Sequence, residues 1–346
     1  MYRIVKYSKD ERRILFRNTS QKMNIHEAII EKDFWLCLTL EYLFHKCKYG
    51  KVFTFKGGTS LSKCYGLIHR FSEDIDLAID KDFFEGYKGD ITRTQITKLR
   101  KDAGTYTTGT FFTELQQELK NKGYVDLHFA VIDTGESDQD PRIIEIYYPN
   151  IIAQPTEYVL PRVQIEISCR SLKEPFTVQS FGSLVDEFYS DRDFTEPLFS
   201  VRTVNPERTF LEKLFLLHEE LHRPSEKMRL DRLSRHLYDI YHLTLAGIAD
   251  VALSDYGLYN TIVAHRFKFS RVGGVDYNLH NPKTLNPIPP TDVIADWKAD
   301  YAKMKEDMIY EENKPSFDDL ITNLNDLIYR LRALDWQFEL VFPIPN

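Results

Sequence analysis

The sequence predicts an α+β protein, with strands gathered in residues 1–200 and helices in residues 201–346. Two stretches of strand-like alternation, 52–80 and 123–170, lie in the first region; from Val201 onward the apolar residues recur at helical spacing. Between the first two strand candidates stands a glycine pair, Gly57-Gly58, which ends one period and opens another.

In chain order, Asn18-Thr19-Ser20 offers helix caps. Glu27 to His45 then carries Ile29, Ile30, Phe34, Leu36, Cys37, Leu40, Leu43 and Phe44 on a broad apolar stripe, as a core-facing helix requires. Gly50 ends it, the strand VFTF leads into the glycines, and an amphipathic run follows from Ser60 to Ile68. Thr92 to Arg100 and Thr110 to Asn121 are helix-prone, and the Gly- and Thr-rich stretch Gly104 to Gly109 between them reads as a loop. Three strands follow, VDLHFAVID, RIIEIYYP and YVLPRVQIEISC. Asn205-Pro206-Glu207 begins a helix that runs through RTFLEKLFLLHEEL and stops before Pro224. SEKMRLDRLSRHLYDIYHLTL forms the next, residues 278–290 make an irregular connection, and two helices near Val293 to Ile309 and Ser316 to Leu334 close the chain.

With 42% hydrophobic and 28% charged residues over 346 positions, the chain can bury one large core or two. No apolar run reaches membrane-spanning length, and MYRIVKYSKDERR lacks the apolar centre of a secretion signal, so a cytoplasmic location without membrane attachment is expected. Cys37, Cys47, Cys64 and Cys169 are scattered, with no C-x-x-C pair, and read as small hydrophobes in a reducing compartment. A formal net charge of -7 argues against a general nucleic-acid coat while leaving room for a local basic surface.

The chemistry concentrates in FKGGTSLSKCYGLIHRFSEDIDLAID, Phe55 to Asp80. In an extended strand Asp74 and Asp76 face the same side, with Ile75 and Leu77 on the other. Two adjacent carboxylates repel unless a cation holds them, and a divalent metal bridging substrate phosphates is the simplest such cation. The turn Gly57-Gly58-Thr59-Ser60 supplies a backbone that a phosphate can approach, a helix N-terminus beyond it, and hydroxyls from Thr59 and Ser60. Strand, Gly-Gly, helix and D-x-D strand in that order suit phosphoryl transfer; neither a P-loop nor a Rossmann fingerprint is present. In VQIEIS the alternation sets Gln164, Glu166 and Ser168 on one face, so Glu166 is either solvated decoration or a third carboxylate of the same sheet.

This core resembles the nucleotidyltransferase core of the AbiEii/AbiGii toxin family, within the DNA polymerase β-like superfamily. The similarity continues through IIEKDFWL, VQIEIS, ERTFLEKLFLLHEELHRP, RLSRHLYDIYHL and a tail from Ala299 to Leu320, covering most of the chain. The resemblance implies a mixed-sheet nucleotidyltransferase domain with an appended helical domain. It further implies transfer of a nucleoside monophosphate from an NTP to an acceptor, which is RNA, tRNA included, or protein, and the role of toxin in a toxin–antitoxin or phage-defence pair whose antitoxin is encoded separately. Carried over by position, Gly57, Gly58, Thr59 and Ser60 match the phosphate-contacting turn. Asp74 and Asp76 match the pair that binds Mg²⁺ or Mn²⁺, and Glu166 stands where the superfamily has a third carboxylate. Lys213 of the TFLEK helix is then a triphosphate contact and Asp239 a catalytic or nucleotide-orienting residue, so the helical region supplies the other half of the site.

Plainer roles exist for several of these residues. Lys213 could pair with Glu212 or Glu220 on a charged helix face, and Asp239 with Arg235 four residues earlier. Lys227, Arg229, Arg232, Arg235 and His236 form the most basic cluster in the chain, either a solvated helix face or an RNA contact. His218-Glu219-Glu220-Leu221-His222 fits the helical H-E-x-x-H of zinc proteases, without an evident third ligand and with Pro224 close behind. A transferase fold that binds nucleotide without turnover is a further alternative.

Overall fold

The computed structural model describes residues 2–132, 135–152 and 159–345. The chain divides into two compact units, Met1–Cys64 with Phe71–Val204, and Tyr65–Arg70 with Asn205–Asn346. Residues 65–70, between the glycine turn and the D-x-D strand, thus belong to the second unit.

The first unit is an α+β structure around one mixed, seven-stranded sheet. Its strands are β1 (Phe53–Lys56), β2 (Asp74–Ile79), β3 (His128–Ile132), β4 (Arg142–Tyr147), β5 (Arg162–Ser168), β6 (Phe176–Phe181) and β7 (Phe199–Val204). They lie in the order β3-β4-β5-β2-β1-β7-β6. β2 is inside the sheet, parallel to β5 on one side and antiparallel to β1 on the other. Period-two alternation makes it a boundary: Ile75, Leu77 and, on β5, Ile165 are completely buried, while Asp74, Asp76 and Glu166 are partly exposed. Each such buried aliphatic contributes about 2 kcal/mol of hydrophobic stabilisation, which holds the strand in this register.

Helices cover this sheet. α1 (Lys9–Met23) begins at a capping box in which Ser8 and Glu11 satisfy each other's backbone N–H, so Asn18, Thr19 and Ser20 lie in its last turns and do not cap it. α2 (Glu27–Glu41) packs on β5 and β7 and is buried along nearly its whole length, Glu31, Lys32 and Asp33 included. α3 (Gly57–Lys63) ends before the expected Ile68. α4 (Arg93–Thr105) and α5 (Phe112–Asn121) are joined by a π-helical stretch, Tyr106–Phe111, where a loop was expected. Leu99, Ala103, Phe111, Leu115 and Leu119 form one buried stripe through all three, and that burial outweighs the local preference of the Gly and Thr residues. A short helix, α6 (Leu184–Phe188), precedes β7. Neither β6 nor β7 was expected, and positions 133 and 158 at the ends of two expected strands lie outside the described residues.

The second unit is helical: α7 (Pro206–Leu221), α8 (Ser234–Leu245), α9 (Ile248–Ala252), α10 (Tyr256–Phe269), α11 (Ile294–Asp307) and α12 (Phe317–Ala333). α7 packs on α8, α9 and α10, and α8 also packs on α11 and α12. α8 starts nine residues later than the sequence pattern suggests. Arg232 sits in the left-handed region at φ 61°, and the Asp300 carboxylate accepts from the N–H groups of Arg232 (2.8 Å) and Ser234 (2.9 Å), fixing the start at Ser234. Among the described residues no helix is long and apolar enough to cross a membrane.

The β1–α3 junction is set by Gly57. Its φ is +81°, and a Cβ there would overlap the Asp76 carboxylate. Gly66, at φ +61°, has open space around the same position. Gly57→Ala is therefore expected to cost about 2 kcal/mol, roughly 5 °C in melting temperature, against about 1 kcal/mol for Gly66→Ala. Thermal unfolding of the two variants checks this, and equal losses would contradict it.

Candidate active site

Asp74 and Asp76 lie beside Glu166 because β2 and β5 run parallel in a register that pairs Asp76 with Glu166 and Asp74 with Gln164. Gln164 Nε2 donates to Glu166 Oε1 at 2.8 Å, which orients that carboxylate along its own strand. Burial pushes the Asp74 carboxyl up to about 7; Glu73, Asp76 and Glu166 add to the shift, and Lys32 only partly offsets them. Carboxylates placed this close suit an oxygen-ligated divalent cation. Among the described residues no three His, Cys, Asp or Glu side chains converge as a ready-made metal cage. Glu166 therefore stands beside the pair without completing a three-carboxylate cage. Two carboxylates on one strand do fit Mg²⁺ or Mn²⁺, which commonly complete their shells with water and substrate phosphates.

The turn below the pair is braced by its own hydroxyls. Thr59 Oγ1 donates to the Asp74 carbonyl at 2.6 Å and lies 2.9 Å from the Ser72 hydroxyl; Ser60 Oγ donates to the Gly57 carbonyl at 2.8 Å. Both residues are buried. Of these hydroxyls, expected as phosphate donors, that of Thr59 ties the turn to the D-x-D strand and that of Ser60 closes the turn on itself, and the first N–H groups of α3 remain as its donors. Lys32 of the IIEKDFWL segment, not singled out by the sequence, brings a buried ammonium to Glu73 at 2.5 Å.

In the second unit Lys213 on α7 and Asp239 on α8 form an ion pair of 2.8 Å, and both are buried. Arg70 completes the cluster with a two-point fork, Nε to Asp239 Oδ1 at 2.7 Å and Nη2 to Oδ2 at 2.8 Å. The simpler partners are thus replaced: Glu212 takes Arg208, Glu220 takes Arg229, and Asp239 is held by Arg70 and Lys213, where Arg235 was expected. Burial alone would raise the Asp239 carboxyl, but Arg70 and then Lys213 outweigh it and hold it well below the ordinary range. Desolvation depresses the Lys213 ammonium, an effect Asp239 opposes, and it pushes His236, beside Lys213, well below the usual imidazole range. Arg70 carried no signal in the sequence beyond its place just ahead of the D-x-D strand.

The H-E-x-x-H pentapeptide is structural. Glu219 accepts from Arg266 Nε and Nη2 and from His280 Nε2, so it is not free to act as a base. His218 is buried with Nδ1 against the Asn286 backbone, and His222 is the residue on which α7 ends. The basic cluster is not one helix face: Ser225–Lys227 is a short 3₁₀ turn, Arg229 pairs with Glu220 at 2.7 Å, and only Arg235 and His236 lie on α8.

Solved structures similar to this chain share little of its sequence. MenT4, a nucleotidyltransferase toxin from Mycobacterium tuberculosis, aligns at 17% identity and a TM-score of 0.42 over 92% of this chain and 99% of its own. JHP933 from Helicobacter pylori aligns at 14% identity and a TM-score of 0.40 over 86% of this chain and 91% of its own. No curated protein matches the chain. The family model described as nucleotidyl transferase AbiEii toxin, type IV toxin–antitoxin system, matches residues 41–323, and the chain belongs to that family of nucleotidyltransferase enzymes.

Proposed function

We propose that this toxin nucleotidyltransferase moves a nucleoside monophosphate from an NTP to an RNA hydroxyl in a reaction dependent on Mg²⁺ or Mn²⁺. The observation that carries the metal requirement is the placing of Asp74 and Asp76 on one face of β2, with Glu166 opposite Asp76 on β5. Asp74 and Asp76 would hold the ion, with Glu166 adding negative charge across the strand pair. When bound, such an ion neutralises the triphosphate and lowers the pKa of the attacking hydroxyl. Gly57, Gly58 and the N–H groups that Thr59 and Ser60 keep in place receive phosphate oxygens, and Gly57 lets Asp76 come close to them. Lys213 contributes an ammonium to the triphosphate, and Asp239 orients it through the 2.8 Å ion pair. RNA is favoured as acceptor by the excess of basic residues in 223–235, among which Lys227 and Arg232 are exposed. A separately encoded antitoxin is the partner that the toxin family implies.

Incubation with each labelled NTP, Mg²⁺, total RNA and a protein extract tests this reading. Wild type labels RNA, and Asp76→Ala lowers labelling by about a thousandfold or more, the scale of lost metal-based charge stabilisation. Label in protein alone would overturn the RNA acceptor; nucleotide binding without any labelling would favour a catalytically silent fold.

The raised Asp74 carboxyl also sets a pH dependence. Below about 7 the carboxyl keeps its proton, which a metal ion must displace; above it the site is already ionised. Apparent Mn²⁺ affinity, measured by calorimetry, is therefore expected to fall about fivefold between pH 7 and pH 6, with about one proton released per ion at pH 6 and little at pH 8. Affinity independent of pH over this window would refute it.

A further inference from the structure

We propose that the exposed face of α4, carrying Arg93, Lys98 and Lys101, is a docking surface for the phosphate backbone of an RNA strand. This rests on the reading of RNA as the acceptor, and it adds a contact in the first unit to the basic residues 223–235 of the second.

The helix separates its residues cleanly. At about 100° per residue, Ile96, Leu99 and Ala103 fall within about 60° of one another, and all three are buried. Arg100, Arg93, Lys101 and Lys98 occupy an arc of about 160° on the other side. No acid interrupts that arc. Asp102, the one carboxylate of the helix, lies outside it and accepts from the Tyr87 hydroxyl at 2.5 Å. Arg100 pairs with Asp138 at 3.0 Å, whereas Arg93, Lys98 and Lys101 are exposed and have no ion-pair partner among the described residues.

These cations run against the electrostatics of their own helix. Arg93 is the first residue of α4, at the positive end of the dipole where an acid is favoured, and the first turn contains none. Lys98 and Lys101 gain nothing from a helix C-terminus, because α4 passes directly into the stretch Tyr106–Phe111 and then into α5, which ends at Asn121. They stand three residues apart, a spacing at which like charges repel. A solvated helix face ordinarily mixes both signs, and this one sits in a chain of formal net charge -7. Positive charge that folding does not reward is suited to a polyanion. RNA is favoured over an acidic protein because the D-x-D strand belongs to the same unit and an RNA acceptor has to reach it.

The test is binding of a fluorescein-labelled oligouridylate to the full chain, without NTP, followed by fluorescence anisotropy over a range of salt concentrations. Lys98→Gln combined with Lys101→Gln is expected to weaken binding about fivefold and to lower the slope of log affinity against log salt by about 1.4, the share of two single-strand phosphate contacts. Its melting temperature stays at or above that of wild type, since two repelling charges are gone. Lys6→Gln combined with Lys9→Gln removes the same charge from two exposed lysines elsewhere in the first unit and stays within about twofold of wild type. Equal weakening in the two double variants, or wild-type affinity and slope in the α4 variant, overturns this inference and leaves the RNA acceptor standing on the labelling result. A lowered melting temperature in the α4 variant assigns its lysines to folding and overturns it, as does a wild type that binds no oligouridylate. Oligouridylate affinity kept while polyglutamate binding is lost gives the face to an acidic protein instead. Label in protein alone overturns the RNA reading and this inference with it.

Discussion

The placement of one strand governs the candidate chemistry of this protein. β2 is paired on both edges, so its backbone cannot shift by one residue without moving Ile75 and Leu77 out of the core. That constraint holds Asp74 and Asp76 on the other face and sets Asp76 opposite Glu166. Electrostatic repulsion among these carboxylates would disperse them in a flexible loop; the ladder keeps them together. The sheet thus holds an unfavourable charge arrangement that a bound cation would relieve.

The two buried ionic groups of the helical unit show how similar residues serve different ends. Glu219 is fully matched, with Arg266 and His280 outweighing its burial and drawing its carboxyl down to about 2. That cluster is closed, and the H-E-x-x-H spelling is a by-product of a helix that needed a buried acid there. Asp239 is shared by Arg70 and Lys213. Sequence spelling alone does not distinguish the two groups; the partners that tertiary structure brings to each carboxylate do.

What could be read in the sequence follows the range of the interactions. The D-x-D strand, β3 to β5, the Pro206 start of α7 and the two closing helices are written in local periodicity and capping, and all were legible. β6 was hidden because it is an edge strand with Phe176 and Val178 exposed, and β7 because it runs directly into the cap of α7. Gly104 suggested a loop, yet a Cβ there would overlap the Arg142 guanidinium, so glycine serves close packing inside a helix. Asp239 invited Arg235 as partner by the four-residue helix rule, and tertiary structure supplied Arg70 and Lys213 instead. The site's strand and turn were visible because they are contiguous; its arginine was not, because a lone arginine carries no periodic signal.

The detour of residues 65–70 bears on the order in which the protein can assemble. The carboxylate that receives Arg70 is made 169 residues after it. At ribosomal rates of about 5–20 residues per second, roughly ten to thirty seconds separate the two. During that interval the chain on either side of the detour can pair as β1 and β2, but the guanidinium between them has no Asp239. A toxin built this way completes its charge cluster only late in its own translation, so a nascent fragment ending at Val204 carries the D-x-D strand but neither Lys213 nor Asp239.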